Sequence, residues 1–104
     1  MTRVAVYNAS KVASAARAAA AMLYAEGYDA FSAGNFKDKL DASDVTYRKS
    51  LYEGFASDVS LLLGQWPVKK DPGDPLKTWG PDIIIHIGEK EADVVKERYG
   101  YLTK

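Results

Sequence analysis

Hydrophobic and polar positions alternate over Arg3 to Tyr7, with Val4 and Val6 on one side and Arg3, Ala5 and Tyr7 on the other, which predicts a strand. Asn8-Ala9-Ser10 breaks that alternation, and from Val12 the apolar period lengthens to that of a helix. The helix is alanine-rich and stops before Gly27, a residue that accepts the positive φ common just past a helix end. Ser10 is the expected N-cap, its hydroxyl accepting from an orphan amide of the first turn. Arg3 to Tyr28 therefore reads as one strand-turn-helix unit.

Tyr28 to Ala33 reads as a second strand. Gly34 to Ser43 carries turn formers and alternating charges, and predicts an exposed, hairpin-like connection to a third strand at Asp44 to Lys49. Ser50 followed by Glu53 has the spacing of a capping box, so a helix is expected to start there. Its apolar stripe is Leu51, Phe55, Val59 and Leu62, flanked by Ala56 and Leu63, and Gly64 ends it before Pro67. Trp66 to Pro81 holds all four prolines and reads as a long surface loop, with room for a short strand at Pro67 to Lys70. Asp82 to Ile87 is a nearly unbroken apolar run and predicts a central strand. A terminal helix follows, acidic at its start (Glu89, Glu91, Asp93), basic near its end (Lys96, Arg98), and apolar only along Ala92, Val95 and Tyr99. That narrow face marks it as peripheral.

Two amphipathic helices over one sheet give a mixed α/β (α+β) domain spanning residues 1–104. The expected architecture is a two-layer sandwich: a four-stranded mixed sheet with helices on one face, of the split βαβ or ferredoxin-like kind, plus the C-terminal helix. The core should gather Val4, Val6, Leu23, Phe55, Leu62, Ile83 and Ile85.

Composition then removes whole classes of function. Lysine plus arginine and aspartate plus glutamate stand at 14 each, so no basic stripe points to nucleic acid or to an anionic membrane surface. With no cysteine and a single histidine, His86, zinc sites built on thiolates or paired imidazoles and disulfide scaffolds are excluded. The run from Val12 to Ala25 is interrupted by Arg17, follows a strand, lacks a basic leader, and is shorter than the ~20 apolar residues of a membrane span. The chain is accordingly expected to be soluble, without a signal peptide and without membrane contact of its own.

Chemistry is sparse. His86, between Ile85 and Ile87, is expected to be a packed or hydrogen-bonded histidine rather than a general base. Ser10, Ser14 and Ser50 have roles as caps or surface residues, and no nucleophile elbow is present. The first turn lacks the glycines that let a phosphate approach, and Asp71 and Asp74 are spaced unlike a calcium loop. No enzyme activity, metal or cofactor is expected. The binding candidates are Trp66 and Trp79, which bracket the proline-rich loop, with Tyr47 and Asn8. Flat amphipathic rings bind sugars and peptides, but stapling of the loop to the sheet is the favoured alternative for both tryptophans.

Val6-Tyr7-Asn8-Ala9-Ser10, Leu23 to Tyr28, Ser43-Asp44-Val45-Thr46-Tyr47, Leu62-Leu63-Gly64 and Asp82 to Gly88 together resemble the LytR C-terminal domain family. The resemblance spans about residues 3–88 and leaves 89–104, the terminal helix, outside it. Asn8-Ala9-Ser10 stands where that family commonly has Asn-Gly-Thr, so positive φ at the middle residue is not expected. The resemblance implies a non-catalytic accessory or binding module of the bacterial cell envelope, linked to glycopolymer attachment or cell-wall organisation. It also implies an extracytoplasmic location, anchored through a parent protein. Its implied partners are cell-wall glycopolymer, peptidoglycan or an envelope protein. Two alternatives stand beside it: a SPOR-like peptidoglycan-binding domain, although the Gly-x-Phe turn of that family is missing, and a purely structural or oligomerisation domain.

Overall fold

The computed structural model describes residues 2–71 and 80–103. In chain order its elements are β1 (Arg3–Asn8), α1 (Ala15–Ala25), β2 (Asp29–Asn35), β3 (Asp44–Tyr47), α2 (Glu53–Leu63), β4 (Val68–Lys70), β5 (Ile83–Ile87) and α3 (Glu89–Tyr99). Single 3-10 turns cover Ser50–Tyr52 and Gly100–Thr103. The mixed α/β sandwich is present, with β4 as a fifth strand.

The strands lie in the order β2-β1-β5-β3-β4. β1 is parallel to both β2 and β5, β3 is parallel to β4, and β3 and β5 are antiparallel. The strands joined by α1 are direct neighbours, as are those joined by α2, so no strand splits either βαβ unit. The two units flank β5. Because β2 and β3 sit on opposite sides of the β1-β5 pair, the connection between them is a crossing rather than a hairpin. It spans the end of the sheet, where the Phe36 and Leu40 amides donate to the carbonyls of Asn8 and Ala9, both at 2.9 Å.

Strand alternation decides which residues meet. Val4 and Val6 face Ile83 and Ile85 across the β1-β5 pair, and Val45 lies opposite Ile85 on the other side. These residues are fully buried, together with Leu23 of α1, Val59 of α2 and Val95 of α3, so all three helices cover the same face. α1 ends as Gly27 permits: the Gly27 amide donates to Tyr24 O and the Tyr28 amide to Leu23 O, a Schellman pair, with Gly27 at φ +100°. α3 attaches through Ala92, Val95 and Tyr99 and leaves its other faces to solvent.

Four local expectations are corrected. Ser10 does not cap α1, which starts at Ala15 behind Ser14. The Ser10 hydroxyl instead donates to Asn8 Oδ1 at 2.6 Å and accepts from the Val12 amide at 3.1 Å, tightening the turn before the helix. The Ser50-Glu53 capping box does not form, because Ser50 opens a 3-10 turn and its hydroxyl accepts from Lys70 Nζ at 3.2 Å. Phe55 is 45% exposed and Leu62 half-buried, so neither anchors the core. The 3-10 turn resets the helix phase, and the buried face of α2 is Ala56, Val59, Ser60 and Leu63. Trp66 packs there instead, its carbonyl accepting from the Ser60 hydroxyl.

Candidate functional site

The residues proposed from the sequence do not converge. Trp66 is 7% exposed and belongs to the core, which is the stapling alternative and leaves little of its ring to a ligand. Tyr47 is half-buried on the helix-covered side. Asn8 is buried as well. Its Oδ1 accepts from the Ser10 amide at 3.0 Å and its Nδ2 donates to Val12 O at 2.8 Å, so the side chain builds the turn. Trp79 lies outside the described residues.

A different cluster forms on the other face of the sheet, where none of the described helices packs. The alternation that buries Val4 and Val6 under the helices places Arg3, Ala5 and Tyr7 on this other face, where Ala5 is buried, Tyr7 half-buried and Arg3 exposed. The register places Tyr7 beside His86, and His86 beside Asp44. Phe36, just past β2, is held against these rings as its backbone N–H donates a hydrogen bond to Asn8 O. Tyr7 and His86 stack at 5.9 Å between centroids with 21° between planes. Phe36 meets them edge-on, at 6.0 Å from Tyr7 and 4.6 Å from His86. All three are half-buried. Further along the face, the Arg3 guanidinium lies 6.0 Å from the Phe31 ring centroid.

His86 is oriented by its neighbour. Its Nδ1–H donates to Asp44 Oδ1 at 2.8 Å, while Lys69 Nζ approaches Asp44 Oδ2 at 3.3 Å. Burial alone would raise the pKa of Asp44, but the hydrogen bond and charge of His86, helped by Lys69, outweigh it and hold the carboxyl below its ordinary value. With Nδ1 committed to the carboxylate, Nε2 is the ring nitrogen left to meet a further partner, accepting from it when the ring is neutral and donating to it when the ring is protonated. The histidine-carboxylate pair is thus flanked by the rings of Tyr7 and Phe36. It presents a flat aromatic surface with one oriented ring nitrogen.

The Phe36 segment is fixed from behind by the start of α3. The Glu89 and Lys90 amides donate to Leu40 O and Asp41 O at 2.8 and 2.9 Å, and the Gly88 amide donates to Ser43 Oγ at 2.8 Å. Two first-turn carboxylates complete the joint, Glu89 accepting from the Lys11 amide and Glu91 from the Ser43 amide, both at 2.6 Å. At Gly88 a Cβ would overlap the Ala42 backbone. Only glycine permits so close an approach.

Among the described residues no group of three or more His, Cys, Asp or Glu could hold a metal ion, and no helix is long and apolar enough to cross a membrane. The fold and this face define a small mixed α/β domain with one helix-covered and one aromatic-bearing sheet surface. Residues 1–90 match the family described as LytR cell envelope-related transcriptional attenuator, and the chain belongs to that family. The chain is also similar to the solution structure of the C-terminal domain of RV0431, with a TM-score of 0.59 and 26% identity. That match covers 85% of this chain and 72% of the other. Comparison with curated proteins gives no match. The envelope association implied by the sequence motifs therefore stands, while α3 runs on beyond the family match from Glu91.

Proposed function

We propose that this chain is a non-catalytic binding module of the bacterial cell envelope, acting outside the cytoplasmic membrane as part of an anchored protein. In this reading it holds cell-wall glycan or its attached glycopolymer on the helix-free face of the sheet. The observation that carries the reading is the cluster of Tyr7, Phe36 and His86, three half-buried rings on a sheet face that none of the described helices covers. Sugar rings pack their C–H faces on such surfaces, and their hydroxyls, which both donate and accept, can bond to a ring nitrogen oriented as His86 Nε2 is by the Asp44 contact. Membership of an envelope-related family supports the setting.

Co-sedimentation with purified cell wall tests this, comparing the domain with a Tyr7→Ala, Phe36→Ala variant of unchanged thermal transition. The native protein should pellet and the variant should stay in solution. Equal retention would remove this face as the site. Retention of neither would favour a structural accessory domain, and measurable turnover of wall material would overturn the non-catalytic reading.

A further inference from the structure

β2 forms one edge of the sheet and β4 the other, and only β4 is guarded. β4 is three residues long and carries Lys69 and Lys70, whereas the seven residues of β2 include neither lysine nor proline. The Asp29 amide donates to Thr2 O, toward β1. By alternation the N–H and C=O of Ala30 and Ser32 therefore point away from the sheet, into a groove between β2 and α1. That groove measures about 570 Å³ and is lined mainly by apolar groups, among them Ala20, Ala21 and Tyr24 of α1, Ala30 of β2, and Leu102. Alanines create the hollow, since longer aliphatic side chains on this flank of α1 would fill it.

The groove runs on into a second pocket of about 200 Å³, which shares Arg17 and Ser32 with it and adds polar groups of Ser14 and Asn35. Arg17 is exposed, and among the described residues no carboxylate pairs with it. A strand edge that no described strand pairs, an apolar trough beside it and a cation at its end together select one kind of occupant. We propose that this groove binds an extended peptide that adds as a strand beside β2, with alternate apolar side chains in the trough and a terminal carboxylate on Arg17. Arg17 lies near the C-terminal end of β2, so the bound peptide runs parallel to that strand. This site is separate from the aromatic face.

The test is selection from a display library of short random peptides with free C-termini, followed by amide-shift mapping by NMR. Selected peptides should alternate apolar and polar residues, shift the amides of Arg17, Ala30 and Ser32, and fail to bind when Ala21→Trp fills the trough. Ala25→Trp, at an exposed position, serves as the second filling variant if the first does not fold. Amidation of the peptide terminus, or Arg17→Gln, should weaken binding on the order of tenfold, the loss of a charge-assisted contact. A selection without binders, or binders indifferent to both trough-filling and amidation, would overturn the proposal. Concentration-dependent protection of the Ala30 and Ser32 amides in the absence of peptide would assign the edge to a second copy of the chain and overturn it equally.

Discussion

The two βαβ units on either side of β5 follow one plan and are packed by different means. In the first, α1 buries Ala15, Ala16, Ala18, Ala19 and Leu23, small side chains that bring the helix close to the sheet, and its C-terminus closes with a glycine-based Schellman pair. In the second, α2 buries Ala56, Val59, Ser60 and Leu63 and leaves Phe55 and Leu61 exposed, as is Leu51 of the 3-10 turn before it. Much of the apolar content of the second unit therefore contributes little to its stability, and Trp66 compensates by filling the core beneath it. The difference teaches that helix amphipathicity alone does not decide which face is buried. The residues that set the phase of the helix, and the loop that follows it, decide that.

The largest expected effect is at the element the two units share. Ile85→Ala should cost ~2–5 kcal/mol in chemical denaturation, because Ile85 is fully buried between Val6 and Val45. A midpoint that does not move would break the view that β5 joins the halves. Gly88→Ala should cost about 1–3 kcal/mol in a thermal or denaturant melt by forcing the Ala42 backbone away. A neutral result would mean that the joint behind Phe36 yields freely. Phe55→Ala sharpens the contrast between the helices. It should cost under about 1 kcal/mol, against the ~3–5 of a core phenylalanine, and a core-sized loss would restore the stripe read from the sequence.

Acid titration probes the helix-free face of the second unit. The pKa of Asp44 is lowered on folding, so the carboxylate stabilises the native state above the ordinary carboxylate pKa. That contribution should fade as pH falls through the lowered value. Denaturation midpoints of the native protein should therefore drop on acidification through the carboxylate range more steeply than those of Asp44→Asn. Parallel profiles would show that the His86 and Lys69 contacts do not persist in solution. Smallest of all is Ser50→Ala, which should lie within about 0.5 kcal/mol of the native protein, since no helix amide depends on that hydroxyl. A loss near 1 kcal/mol would show that the capping box forms after all.

Strands β1 and β5 were legible because alternation and an uninterrupted apolar run leave few other conformations open, and the end of α1 was legible because Gly27 has one strong role there. The start of α2 was not, because Ser50 and Glu53 have capping-box spacing yet lie across a 3-10 turn that only tertiary packing selects. The candidate face was half-legible. Tyr7 and His86 occupy the parity opposite to Val4, Val6, Ile83 and Ile85, and two rings at such positions in neighbouring strands are a readable signal. The adjacency of β1 and β5 is a long-range fact that no local pattern carries. Phe36 was hidden further, in a segment read as a simple connection when it crosses the sheet end.

The position of β5 has a kinetic consequence. β1 and β3 do not touch as neighbouring strands, and the sheet becomes continuous only when Ile83 to Ile87 enters between them. Contacts that join residues near position 5 to residues near position 85 raise the contact order and delay closure of the core. A chain emerging from its N-terminus can form two partial sheets and must wait for its last strand to unite them, so its cooperative fold is a late, single event.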